Sequence, residues 1–164
     1  KRLNAALATK VQELSQYRSE FFGKLRNLLG KQKDIRVVGD RFVFQSEVLF
    51  GSGSAKIGGA GETQLTQLAT TLRDISKKIP AKINWVLRVD GHTDRIPIRT
   101  PKYSSNWELS SARAISVVKF LTAQGIPAER LAATGFGEHQ PLDAREDEIA
   151  FRRNRRIELK LTQR

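Results

Sequence analysis

The chain has 164 residues, 39% of them hydrophobic, which is enough for one globular domain with its own core and a short extension. It contains no cysteine, which excludes disulfide frameworks, thiolate nucleophiles and cysteine-based zinc sites. Its formal net charge of +12 predicts attraction to polyanions such as nucleic acid, anionic lipid or a carboxylate-rich cell wall, although no recognised nucleic-acid-binding motif is present.

The first 29 residues carry an apolar stripe with alternating spacings of four and three, which predicts a helix that ends near Gly30. Arg18 interrupts the stripe. The pattern fits a coiled-coil seam and a helix packed on its own domain equally well. We therefore divide the chain into an N-terminal helix, coiled coil or linker at residues 1–30 and a domain at residues 31–164. The apolar positions are Leu7, Val11, Leu14, Phe21, Leu25 and Leu28.

No methionine is present, even at position 1, and no apolar run is long enough to be a membrane span or a signal peptide. We therefore expect the natural protein to begin further upstream. Any membrane or targeting segment would then lie before Lys1.

A β-hairpin is predicted next, because apolar runs at residues 35–38 and 41–44 flank Gly39-Asp40. A glycine-rich loop follows at residues 51–61. It lacks a Gly-Lys-Ser/Thr ending, so phosphate cradling is not predicted there.

The rest of the chain alternates between helical and extended patterns, which predicts an α/β sandwich with a mixed sheet and helices over one face. The predicted helices are residues 62–78, 106–124 and 146–153, and the predicted strands are residues 83–89, 131–136 and 157–161.

Three polar groups, at residues 91–94, 106–114 and 152–156, fall at predicted strand ends or helix starts, which can converge on one rim of a sheet. Asp94 supplies an anion, Arg113 a cation and Asn106 a neutral amide. Such a set suits a ligand that carries both an ammonium and a carboxylate group. The spacing alone favours an internal salt bridge between Asp94 and Arg113, which would fix a loop to a helix. Asn106 taken alone is most often a helix cap.

Catalytic and metal-binding patterns are weak. His92 and His139 lie apart with no metal-ligand spacing, and His92 is predicted to be a hydrogen-bonded structural residue. Ser110 and Ser111 lie in no nucleophile elbow. We therefore predict a protein that is not an enzyme and that needs no metal or cofactor.

Four motifs in order resemble the OmpA-like peptidoglycan-binding domain. They are Gly91–Asp94, Asn106–Ala114, Gly135–Pro141 and Asn154–Ile157. Residues 50–55 and the helix after them are also similar to the opening strand and helix of that family, so the resemblance covers residues 35–161. It implies a β/α/β/α/β sandwich, here preceded by the N-terminal helix.

The resemblance also implies a ligand, since the family binds the peptide stem of peptidoglycan non-covalently, chiefly through diaminopimelate. Asp94 would then meet the ligand's ammonium and Arg113 its carboxylate, with Asn106 beside them. This favours ligand binding over an internal salt bridge for the two charged residues. The remaining carried-over residues, placed near the same rim, are Thr93, Asn154 and Arg155.

Residues 105–110 are similar to the MotB-type, flagellar-stator branch of the family, whereas the loop at residues 95–104 is longer than the usual pattern and is expected to reshape the pocket. The branch implies a periplasmic domain that is tethered to the inner membrane by an upstream segment with partner subunits. We expect the N-terminal helix either to join two copies in a homodimer or to stack on the domain. Two alternatives stay open. One is a general wall-anchored scaffold of the cell envelope or outer membrane, without a motor role. The other is a basic nucleic-acid-binding module, although we expect no nucleic acid partner.

Overall fold

The computed structural model describes the backbone of residues 2–29 and 35–164 and the side chains of residues 13–29 and 35–164. Helices and strands alternate along this part of the chain. The helices are α1 (Arg2–Leu29), α2 (Ser46–Leu49), α3 (Gly59–Ser76), α4 (Asn106–Ala123) and α5 (Glu148–Asn154). The strands are β1 (Ile35–Val38), β2 (Arg41–Gln45), β3 (Trp85–His92), β4 (Leu131–Gly135) and β5 (Arg156–Gln163).

The strands form one sheet in the order β1-β2-β5-β3-β4. β1 and β2 form the predicted hairpin, in which Ile35 lies opposite Phe44 and Val38 opposite Arg41. Gly39 occupies the turn at a φ of 61°, a conformation that favours glycine. β2 and β3 both run antiparallel to β5, whereas β4 runs parallel to β3. The predicted mixed sheet is therefore confirmed.

The two faces of the sheet differ in polarity because side chains alternate along each strand. One face is apolar and packs against the three long helices α1, α3 and α4, which confirms the predicted layer of helices. The opposite face carries the charged side chains of β3 and β5. Fully buried residues on the apolar face are Phe42, Phe44, Leu87, Val89, Ile157, Leu159 and Leu161.

The C-terminal part of α1 packs on its own domain, because Leu14, Phe21 and Leu25 are buried in the same core as the sheet. Leu28, predicted to lie on the same stripe, is instead 56% exposed, and its neighbour Leu29 is buried. Leu7 and Val11 lie outside the residues whose side chains are described. No helix in the described part of the chain has both the length and the apolarity that crossing a bilayer requires.

The segment at residues 50–55 does not form the opening strand that the resemblance implied. It follows the short helix α2 as a turn, and its one ladder contact is an isolated bridge between Phe50 and Ile57. The reason lies in α4, whose Arg113 and Ser116 side chains take the carbonyl oxygens of this segment that a strand partner would otherwise use.

α3 begins at Gly59, three residues before the predicted start, although glycine is a poor helix former. The packing of Gly61 explains why the first turn of α3 contains glycine. A Cβ atom on Gly61 would lie 2.9 Å from the Cα of Leu49, so the first turn of α3 packs directly on the α2 backbone.

Candidate ligand-binding site

A pocket of about 450 Å³ opens where the end of β3, the start of α4 and the loops around them meet. It brings together five of the six side chains that the sequence singled out, although their positions span more than sixty residues of the chain. These five are Thr93, Asp94, Asn106, Arg113 and Arg155.

Arg113 forms the cationic side of the pocket and is only 5% exposed. Its Nε donates to the carbonyl oxygen of Ser54 at 2.9 Å and its Nη2 to that of Gly51 at 3.3 Å, while the guanidinium lies 5.2 Å from the centre of the Phe50 ring. Burial lowers the pKa of Arg113, and the nearby Glu47 opposes this shift. Arginine nevertheless stays charged at neutral pH. Among the described residues no carboxylate forms an ion pair with it.

Arg155 and three carboxylates form the opposite side. Its Nη1 donates to Asp94 Oδ2 at 2.8 Å, its Nε to Glu47 at 2.5 Å and its Nη2 to Glu148 at 2.9 Å. Burial lowers the pKa of Arg155, but the hydrogen bonds that it donates to these three carboxylates outweigh burial and raise the pKa overall. Asp94 therefore does have an internal salt bridge, with Arg155 and not with Arg113.

Asn106 and Thr93 shape the rim between the two charged sides. The Asn106 amide donates to the carbonyl oxygen of Ile96 at 3.1 Å, which ties the loop after Asp94 to the first turn of α4. The cap of α4 is Ser105, whose hydroxyl oxygen accepts from the Trp107 amide at 3.2 Å. The Thr93 hydroxyl donates to the Asp94 carbonyl oxygen at 2.8 Å.

Asn154 is the one predicted site residue that does not line this pocket. Its Oδ1 accepts from the amides of Leu142 at 2.8 Å and Asp143 at 3.0 Å, and its Nδ2 donates to the Asp143 carbonyl oxygen at 2.8 Å. The side chain is 5% exposed and holds the preceding loop against the end of α5.

Two acids of the pocket, Glu47 and Glu148, were not anticipated from the sequence. Each looks like an ordinary surface glutamate, and no local pattern marks either one. Both pair with Arg155. Glu47 reaches it because β2 lies beside β5 in the sheet, which places α2 next to the residue that follows α5. The long loop after Asp94 also contributes, as expected, by lining the pocket with Ile96, Pro97 and Ile98.

The polar face of the sheet holds a separate buried ion network. Glu158 pairs with Arg41 and with Arg156, each at 2.6 Å, and Asp90 pairs with Arg88 at 2.8 Å. Asp90, His92 and Glu158 offer ligand atoms within 4.8 Å of one another. Three guanidinium groups already surround these carboxylates and would repel a cation, so this cluster is better suited to holding strands together than to binding a metal.

His92 lies within this network but differs from the prediction, because neither of its ring nitrogens has a hydrogen-bond partner among the described residues. Its ring stacks on Phe136 with centroids 4.9 Å apart, and Nε2 lies 3.6 Å from Glu158. Burial lowers the pKa of His92 from its ordinary value of 6.5, although Glu158 opposes this shift.

We expect His92→Phe to reduce the loss of stability on mild acidification. The lowered pKa means that the unfolded chain binds a proton before the folded chain does. The contribution of His92 is therefore complete above about pH 6.5 and declines as the pH falls below it. Urea unfolding at about pH 7.5 and about pH 5.5 measures the difference. A phenylalanine keeps the stack on Phe136 without taking up a proton.

Glu158 acts in a lower pH range. Burial raises the pKa of its carboxyl, but His92 and Arg156 outweigh burial and hold it well below the ordinary 4.5. Its contribution to stability is thus lost only as the pH falls below that value.

The control for the His92 test is His139→Gln, since the His139 side chain is 50% exposed. If His92→Phe and wild type lose the same stability between the two pH values, the interpretation of His92 is wrong.

Comparisons with known proteins agree with this architecture. The model of the OmpA family matches residues 49–155. The uncharacterized protein YtxE of Bacillus subtilis (strain 168) is 37% identical over 118 residues, which cover 71% of this chain and 46% of that protein. The chain thus spans less than half the length of this curated relative.

Two solved structures are similar over most of the chain. A protein described as MotB like, from Desulfovibrio vulgaris, superimposes with a TM-score of 0.73 and 25% identity over 100% of both chains. The cell wall anchor of the T6SS from Pseudomonas aeruginosa superimposes with a TM-score of 0.69 and 29% identity, over 89% of this chain and 96% of that one.

Proposed function

Because this chain belongs to the OmpA family, we propose that its pocket binds the peptide stem of peptidoglycan without cleaving it and so anchors a cell-envelope protein to the wall. The observation that carries the proposal is Arg113. This guanidinium is buried, is held in place by two backbone carbonyls, and has no carboxylate partner among the described residues.

A buried charge without a counter-ion is costly, and a ligand carboxylate would relieve that cost. The two bonds to Gly51 and Ser54 use Nε and Nη2 of Arg113, which leaves donors at Nη1 for a ligand. A charge-assisted hydrogen bond of this kind contributes about 1.5–3 kcal/mol. Arg113 is therefore pre-organised to bind a ligand carboxylate, since it forms no ion pair with a carboxylate among the described residues.

The opposite side of the pocket suits the other charge of the ligand. Asp94, Glu47 and Glu148 share one guanidinium, that of Arg155, so that side carries an excess of negative charge. Each carboxylate oxygen can accept more than one hydrogen bond, so Asp94 can accept an ammonium while still bound to Arg155. Diaminopimelate carries an ammonium and a carboxylate on the same carbon and matches this arrangement. A nucleic acid is less suitable here, since three carboxylates would repel its phosphates.

The cellular role is a narrower proposal. The likeness to a MotB like protein supports a stator subunit in the periplasm, with an upstream membrane tether, partner subunits and a homodimer joined through α1. The likeness to the T6SS cell wall anchor supports the alternative, a wall-anchored scaffold without a motor role. In either case, linked copies that each bind one peptide stem weakly would together anchor the protein firmly. The sequence upstream of Lys1 distinguishes them, since a stator requires a membrane helix with a buried acid.

The proposal is tested by co-sedimentation of the chain with purified peptidoglycan. We expect the wild-type chain to be retained and to be released by free diaminopimelic acid. Pimelic acid has the same carbon chain without the amino groups, and we expect it to compete at least about tenfold less well, because it lacks the ammonium that Asp94 would bind. Equal competition by the two acids, or no retention at all, would contradict the proposal. Release of soluble wall fragments would show catalysis instead.

A further inference from the structure

A second pocket, of about 310 Å³, lies on the polar face of the sheet and is bounded by β1, β2, β5 and α5. Its lining differs in charge from that of the first pocket, because it contains four arginines and no acidic side chain. Val43 and Ile149 add apolar surface. The arginines are Arg36, Arg152, Arg153 and Arg156.

Two of these arginines are already held in place. Arg156 is 2% exposed, donates to Glu158 at 2.6 Å and also reaches the carbonyl oxygens of Gln140 at 2.7 Å and Asn154 at 3.1 Å. Arg153 pairs with Asp143 at 3.1 Å. A ligand that binds these groups therefore does not bear the entropy cost of ordering them.

Arg36 is different, because it makes no hydrogen bond or ion pair with any residue that the structure describes. It stands on the edge strand β1 and is exposed, so its guanidinium is available to a ligand in the pocket. The anchored arginines stand on β5 and α5, whereas Arg36, unpaired among the described residues, stands on β1. The pocket that they line can therefore take an anion.

We propose that this second pocket binds a phosphate group, carried by a phosphodiester or phosphomonoester with a short apolar part against Val43 and Ile149. Guanidinium forks match both carboxylate and phosphate oxygens. A carboxylate has two oxygens and one charge. A phosphomonoester has three terminal oxygens and up to two charges, and a phosphodiester has one charge but adds two bridging oxygens to its two terminal ones. Four arginines around one space are therefore better matched by phosphate. The volume lies at the small end of ligand pockets, which suits a single head group.

The two pockets share a wall. Glu148 of α5 lines the first pocket, while Ile149, Arg152 and Arg153 of the same helix line the second. A zwitterion in one and a phosphate in the other can thus be bound together on either side of one short helix. The second site goes beyond the proposed wall-binding function and does not depend on it.

The test titrates the chain with inorganic phosphate, with a soluble glycerol phosphodiester, and with vesicles of phosphatidylglycerol compared with phosphatidylcholine. We expect Arg36→Gln/Arg152→Gln to weaken phosphate binding about tenfold or more, which corresponds to about 1.4 kcal/mol. The matched control is Arg99→Gln/Lys119→Gln, which makes the same change in net charge at exposed positions outside the pocket. It should bind within about twofold of wild type, since its effect is only on the overall charge.

If the wild-type chain binds the soluble phosphates and the pocket variant does not, the ligand is a free phosphate or phosphodiester. If the wild-type chain binds only the anionic vesicles, and the pocket variant does not bind them, the ligand is a lipid head group. No binding of any probe, or equal weakening in both double variants, would overturn the proposal. Arg36→Gln alone keeps the test valid, because that side chain forms no hydrogen bond or ion pair with the described residues. Co-sedimentation with peptidoglycan is expected to be unchanged in all these variants, so the two sites can fail separately.

Discussion

Arg113→Gln is expected to weaken retention on purified peptidoglycan by about tenfold to about a hundredfold. The substitution removes the charged donor that we propose for the ligand carboxylate, and the loss of one such bond costs about 1.5–3 kcal/mol. Glutamine keeps some of the volume and a hydrogen-bond donor. Co-sedimentation across a range of peptidoglycan concentrations measures the change, and circular dichroism checks that the fold is retained.

Arg113 also holds the loop that contains Gly51 and Ser54. A second variant must therefore distinguish loss of the loop contact from loss of the positive charge. Ser116→Ala provides it, because the Ser116 hydroxyl donates to the Ala55 carbonyl oxygen at 2.6 Å and ties α4 to the same loop without facing the pocket charge. We expect Ser116→Ala to bind within about twofold of wild type. If it binds as weakly as Arg113→Gln, Arg113 is a loop clamp and not a ligand contact.

Gly91→Ala is expected to have the largest effect on stability, a loss of about 3 kcal/mol in the free energy of unfolding, at the upper end of the usual cost of overpacking. A Cβ atom on Gly91 would overlap the Ser110 carbonyl oxygen and lie 2.9 Å from the Ser110 carbonyl carbon. These are backbone atoms of α4, so no side-chain rotation can relieve the clash. Urea unfolding at neutral pH measures the loss.

The control is Gly59→Ala at the first position of α3. No atom lies within 4 Å of its added Cβ, and alanine is the better helix former, so this variant should be as stable as wild type or more so. A loss below about 1 kcal/mol in Gly91→Ala would show that α4 can move away from the sheet at little cost.

The same close approach sets the geometry of the ligand pocket. Gly135 lies beside Gly91 in the sheet, and a Cβ atom there would lie 2.7 Å from the Ser111 amide nitrogen. The two glycines thus let α4 lie directly on β3 and β4. Since α4 carries both Asn106 and Arg113, its height above the sheet determines where these side chains lie relative to Asp94 in the pocket.

Much of the fold follows from short stretches of sequence. The hairpin around Gly39, the long helix from Asn106 and the alternating strand at Ile157 were all predicted within a few residues of their observed bounds. β3 was predicted to end at Val89 but continues through Asp90 to His92, since Arg88 pairs with the buried carboxylate of Asp90. A local pattern that treats a charged residue as a strand end cannot anticipate such partners.

The sequence by itself determined the features that depend on residues a few positions apart. These are helix periodicity, strand alternation, turns and the ordered family motifs. The tertiary structure decided which charges meet. Asp94 pairs with Arg155 and not with Arg113, Asn154 holds a loop, and Glu47 reaches Arg155 across 108 positions of sequence. The physical reason is the strand order, which places the first hairpin beside the last strand, so that electrostatic partners are chosen by sheet topology rather than by spacing along the chain.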